Sequence, residues 1–227
     1  FPTPIQNYSL KINIGYRVIL VITLLIWLLP LIAVMLTSIR TFEDVLAGNY
    51  WTFPKETAFL SNYAEVFAGG KMAGFFLNSL IITIPTVIGT LFLSSLAGYS
   101  LAMHRFKLNL LVFAMFIAGN FVPYQILMIP VRNISIELGM YNSHMGLIIF
   151  HIAFQTGFCT FFLRNFIKEL PFELIEAARA DGATEWTIYR KIIIPLTIPA
   201  LAALGVLEFT FIWNDYFWAL ILTQGDT

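Results

Sequence analysis

Two carboxylates, Glu208 and Asp215, stand alone in an apolar run that follows Lys191 and continues to Thr223. A charged side chain at the middle of a membrane helix costs roughly 2.5 to 3.5 kcal/mol on insertion scales, so such groups face a wet cavity or a hydrogen-bonded interface and never lipid. On a continuous α-helix their seven-residue separation places them about 20° apart, on a stripe with Leu204, Phe211 or Ile212, and Trp218. Trp213 and Asn214 lie beside them. Carboxylates next to an aromatic ring can bind hydroxyl groups and the apolar face of a solute, or they can pair structurally across a subunit interface. Asn120, Tyr124 and Gln125 form a second polar group around Pro123, with Pro130 beyond it. Proline removes a backbone donor, so a helix kinks or breaks near residue 123, and polar side chains beside such a break line a cavity or bond to neighbouring helices.

Other chemistries lack their parts. His104, His144 and His151 are the only histidines, and neither H-x-x-x-H nor H-E-x-x-H occurs, so no metal site is expected. Cys159 is the single cysteine and reads as a small apolar packing residue. No G-x-x-x-x-G-K-[ST] phosphate loop is present, so ATP is not expected to be bound or hydrolysed by this chain. Thirteen basic and thirteen acidic residues cancel, which gives nucleic acid no electrostatic reason to bind.

The elements that must position these residues are membrane helices. The 227 residues are 59% hydrophobic and only 11% charged, with a mean hydropathy of +0.80, whereas a soluble domain carries about a quarter charged residues. Four long uncharged runs, and a fifth interrupted only by Glu208 and Asp215, predict spans near 17–39, 74–99, 108–130, 142–163 and 199–223, each near or above the roughly 20 residues needed to cross the bilayer. The expected fold class is therefore an all-α polytopic membrane protein with one transmembrane domain over 1–227. With the N-terminus inside, nine basic residues fall on inner segments and four on outer ones, as the positive-inside rule requires. Five spans leave Thr227 outside, with Gly225 and Asp226 in a loop, and a sixth span is expected beyond it.

Two connections are long. The outer loop, 41–73, carries Trp51, Phe53, Tyr63 and Phe67 and predicts one short helix near Leu60 to Phe67, started by Ser61 or Asn62. The inner connection from Arg164 to Ile198 reads as two short helices. Leu170-Pro171 opens the first, with Pro171 suited to position N1, and Gly182 closes it in a left-handed conformation. The second runs from about Thr184 to Ile193 and ends at Pro195.

Glu176-Ala177-Ala178-Arg179-Ala180-Asp181-Gly182, followed after nine residues by Ile192-Ile193-Ile194-Pro195, resembles the EAA loop of permease subunits in bacterial ABC importers. Ile194 stands where the family has Leu. Phe76-Leu77-Asn78-Ser79-Leu80, the Ala97-Gly98-Tyr99-Ser100 turn, the run from Pro123-Tyr124-Gln125 to Pro130, and Trp213-Asn214-Asp215-Tyr216 resemble the smaller permease of maltose-transporter-like sugar importers. The resemblance implies a type I importer fold of six core helices in the bacterial inner membrane. It also implies a second related permease, two ATPase subunits that carry ATP and Mg, and an extracytoplasmic solute-binding protein. The segment 164–198 becomes a cytoplasmic coupling loop, with Glu176, Ala177, Ala178, Asp181, Gly182, Ile192 and Pro195 contacting the ATPase. The pathway or subunit interface falls to Glu208, Asp215, Asn214, Trp213, Asn120, Tyr124 and Gln125. A lone channel or secondary transporter is the competing reading, and co-purification with an ATPase separates the two.

Overall fold

The structure, a computed structural model, describes residues 10–224 except Asn49 and Lys55, so the loop expected at Gly225 and Asp226 lies outside the described residues. The chain divides into two compact units at Met72/Ala73.

In the first unit, α1 (Leu10–Ser38) forms the first expected span. It is apolar on every side and none of its most apolar window is buried in the chain, as suits a helix solvated by lipid. Thr41 then caps α2 (Phe42–Leu46) by accepting the Asp44 amide. The expected short helix is present as α3 (Phe59–Ala68), but neither Ser61 nor Asn62 starts it. Ala58 holds the cap position, and the Asn62 amide instead donates to the carbonyls of Ser38 and Arg40 at 3.0 and 2.8 Å. Arg40 is buried and anchors the loop, donating to Asp44 at 2.5 Å and to the Thr52 carbonyl. A buried guanidinium needs this pairing to offset its desolvation.

The second unit is organised around α7 (His144–Lys168), whose N-cap Ser143 accepts the Gly146 amide. Its buried residues include Ile148, His151, Gln155, Cys159, Leu163 and Ile167, three or four apart and so on one face. Against it pack α5 (Asn109–Ala118) and α10 (Ile194–Trp213), while α4 (Lys71–Met103) approaches it at Gly98. Glycine permits the closest contacts: a Cβ on Gly98 would come within 3.1 Å of the Arg164 amide nitrogen, and one on Gly157 within 2.6 Å of the Phe116 carbonyl. Ala97-Gly98-Tyr99-Ser100 is thus no turn. It is the helical stretch of α4 that meets α7.

Among the described residues, four helices are long and apolar enough to cross a membrane: Ile12–Ser38, Lys71–Met103, His144–Lys168 and Glu185–Trp213. The third expected span, 108–130, is not one continuous helix. After α5 and a 3-10 turn (Gly119–Phe121) the backbone at Val122 becomes extended, because the residue before Pro123 is driven from the helical region. The chain resumes as α6 (Met128–Glu137). The fifth expected span is also interrupted: α10 ends at Trp213 and α11 (Phe217–Leu222) follows the break at 214–216. Asp215 therefore lies past the helix that carries Glu208, and the single stripe joining them does not form. The two are brought to α7 separately.

Candidate functional site: the hairpin and the pocket opposite it

The hairpin begins with α8 (Phe172–Ala180), where Pro171 occupies the cap rather than N1. Gly182 has φ +79°. The amide of Ala183 donates to Ala178 and that of Gly182 to Arg179, each at 3.0 Å, a Schellman closure that satisfies the last carbonyls of α8. Thr184 then caps α9 (Glu185–Ile188) by accepting the Thr187 amide. The second hairpin helix does not stop at Pro195. It widens into one π-turn (Tyr189–Ile193) and continues directly into α10, with Pro195 in the first turn. Pro195 has no N–H to offer, and the Ile194 amide bonds five residues back to Tyr189, so the wider turn absorbs the missing donor.

Buried apolar residues join this hairpin to the bundle: Ile175 and Ile188 pack with Leu163, Ile167, Ile193 and Tyr99. Polar contacts converge on Glu185. It accepts from Arg179 Nε at 2.9 Å and from the Tyr99 hydroxyl at 2.5 Å, and His104 Nε2 lies 3.3 Å away. The hydrogen bond from Arg179, then that from Tyr99, holds the Glu185 carboxyl below the usual carboxylate range, and the same pairing raises Arg179. Ser95 and Tyr189 share a further hydroxyl contact at 2.6 Å. Of the expected docking residues, Glu176, Ala177, Asp181, Gly182 and Pro195 are exposed, whereas Ala178 and Ile192 are half-buried against the bundle. Glu185 and His104 carry no role in the sequence reading, although Tyr99 lies within a quoted motif.

At the other end of α4, α7 and α10 a pocket of ≈150 Å³ opens, lined by Asn78, Ser79, Thr83, His151, Trp213 and Asp215 among others. Two of the quoted motifs, at 76–80 and 213–216, thus meet in space. His151 Nε2 lies 3.2 Å from Asp215 Oδ2, and Asp215 Oδ1 accepts the amide of Trp218, in the first turn of α11, at 3.3 Å. About two turns deeper Cys159 Sγ donates to Glu208 Oε1 at 3.2 Å. Cys159 is packed as expected, and it is also a hydrogen-bond partner of Glu208. Asn214 is exposed, its amide donating to the Thr210 carbonyl. Asn120 similarly returns to Phe116, Tyr124 stands edge-on to Phe217 with ring centroids 5.1 Å apart, and Gln125 is exposed, so this second polar group lines an outer surface of the chain and not the pocket.

The second unit is an apolar helical bundle with a hairpin at one end and a polar pocket at the other, an arrangement suited to a membrane permease. Residues 91–227 match the family described as binding-protein-dependent transport system inner membrane component, and this chain belongs to it. It is 35% identical over 88% of its length to 69% of the osmoprotective compounds uptake permease protein GgtD of Synechocystis sp.. It is 32% identical over 88% of its length to 72% of the arabinooligosaccharides transport system permease protein AraQ of Bacillus subtilis. Its fold is similar to a chain in the crystal structure of a bacterial ABC transporter involved in the import of the acidic polysaccharide alginate. The TM-score is 0.82 at 26% identity, covering 98% of this chain and 79% of that one. The chain is thus a non-catalytic, multi-pass permease component of the inner membrane, working with ATPase and solute-binding components.

Proposed function

We propose that this permease forms part of the pathway for a sugar or sugar-like solute and receives ATPase movement through residues 164–198. One observation carries the coupling role: the hairpin is fixed to the bundle by Glu185 and a buried apolar base while Ala177, Asp181 and Gly182 stay exposed at its turn. A rigid projection of this kind passes a displacement to α4, α7 and α10 without absorbing it. The sugar assignment is supported by the names of the arabinooligosaccharide relative and the alginate transporter.

In this reading the working assembly holds a second related permease, two ATPase subunits carrying ATP and Mg, and an extracytoplasmic solute-binding protein. The N-terminus is inside, which the nine inner against four outer basic residues favour. Ala177→Cys, paired with single cysteines on the ATPase surface, should cross-link in the assembled complex and block coupled uptake. Uptake by this chain with ATPase and binding protein but no second permease would sink the two-permease assembly. Failure of every ATPase cysteine to cross-link would sink the docking role.

A further inference from the structure

We infer that the pocket between α4, α7 and the α10–α11 break binds one ring of a hydroxylated solute, with Asp215 and His151 taking hydroxyls and Trp213 an apolar ring face. This inference rests on the proposed transport of a sugar or sugar-like solute and adds the site on this chain.

Size comes first. The ≈150 Å³ cavity equals about five waters of liquid volume. An engineered cavity of this volume holds one benzene-sized ring, so this one admits a single ring of a solute.

The lining has the mixture that polyols require. Phe75 and Trp213 supply aromatic surface, and Asn78, Ser79 and Thr83 on α4 supply polar groups on the wall. Trp213 is held in place by stacking on Phe209, centroids 5.4 Å apart, and by an edge contact with Phe76 at 5.2 Å. Rigid aromatic placement lowers the ordering cost of binding.

His151 provides the independent sign of a ligand. It is 2% exposed, it lines the cavity, and its Nδ1 has no partner. Buried ring nitrogens are normally hydrogen-bonded, and this one stands without a partner on a residue that lines the cavity. Asp215 Oδ2 meets only His151 and can accept a hydroxyl proton from the same ligand. A metal ion is poorly served here: among the described residues no three His, Cys, Asp or Glu side chains come together.

Position gives the pocket a consequence. Sixteen residues of α7, ~24 Å at 1.5 Å per residue, separate His151 from Ile167 at the base of the hairpin. The helices that frame the pocket are those fixed to the hairpin, so a bound ring bears on the elements that ATPase docking moves.

The test uses the complete transporter in proteoliposomes with Ser79→Cys, and Ala219→Cys from another part of the lining as a second reporter. The natural Cys159 is fully buried and supplies no competing thiol. Labelling by a small methanethiosulfonate reagent is followed with L-arabinose, D-xylose, maltose or glycine betaine present. A sugar that the wild-type transporter takes up should slow labelling of both reporters several-fold, and glycine betaine should not. Uptake of one of these sugars without any protection overturns the pocket assignment and leaves the transport reading standing. Protection by glycine betaine alone also overturns the pocket assignment. Wild-type uptake of none of the sugars overturns the transport reading and the pocket with it.

Discussion

The Tyr99 hydroxyl donates to the Glu185 carboxylate, joining the end of α4 to the first residue of α9 across 86 positions of chain. It turns the hairpin from a flexible loop into an extension of the bundle. Tyr99→Phe removes that donor and leaves the ring in place. At about 1 kcal/mol for one such hydrogen bond, solute-stimulated ATP hydrolysis should fall roughly fivefold. The KM for solute and membrane insertion should stay at wild-type values. Wild-type stimulation in Tyr99→Phe would show that this bond carries no coupling.

Glu185 also sets a pH dependence. Its pKa is lowered, by Arg179 first and Tyr99 second, so the opened hairpin binds a proton more readily than the closed one. The stabilisation is complete above the ordinary Glu value of about 4.3 and is lost as pH falls through the lowered value. The Glu185 side chain is 47% exposed, so solvent screening keeps the effect small. Trypsin cleavage after Arg179 or Arg190 in permeabilised vesicles, compared with a soluble reference substrate, should accelerate relatively on acidification. Glu185→Gln should flatten that profile, and an unchanged profile in this variant would assign the pH dependence elsewhere.

Close packing between α5 and α7 makes a third prediction. A Cβ at Gly157 would meet the Phe116 carbonyl at 2.6 Å, and backbone cannot swing aside as a side chain can. Gly157→Ala should lower the melting temperature of the detergent-solubilised complex by overpacking, at a typical cost of 1 to 3 kcal/mol. Gly182→Ala is the contrast, because nothing lies within 4 Å of its added Cβ and the strain is local to φ +79°. Its cost of about 1 to 2 kcal/mol falls on the hairpin turn alone, so ATPase stimulation should drop while the melting temperature of the bundle holds. Equal melting temperatures for Gly157→Ala and wild type would contradict the contact.

Helix number and place were legible wherever an uninterrupted apolar run decided them, as for α1, α4 and α7. The left-handed turn at Gly182 was legible because only glycine takes that conformation without strain. Pro123 announced its break, but Pro195 misled: a proline suggests a helix end, and a π-turn carried the helix through. The end of α10 at Trp213 has no proline to announce it, so Asp215 was placed on a helix that had already stopped. His151 stands out in the sequence only as one of three histidines without metal-site spacing. Its pairing with Asp215 was out of reach because it joins residues 64 positions apart in sequence (215 less 151) through tertiary packing alone.

Glu208 is 1% exposed and directed at α7, where Cys159 Sγ meets Oε1 and no group meets Oε2. Burial of this kind is completed by the chain's own helices, which leaves little of the side chain for a partner subunit. Glu208→Gln preserves the shape and one acceptor, while Glu208→Leu replaces the carboxylate with an apolar group of similar size. Both should co-purify with the proposed second permease as well as wild type does. An intramembrane hydrogen bond contributes about 0.6 kcal/mol on average, so combining Cys159→Ala with Glu208→Gln should cost less than the sum of the single losses by roughly that amount. The measurement is the unfolding midpoint of the complex in detergent for wild type, the two single variants and the double variant. Loss of co-purification in Glu208→Gln would place this carboxylate at the subunit interface after all, and strict additivity would show that the thiol contact contributes nothing.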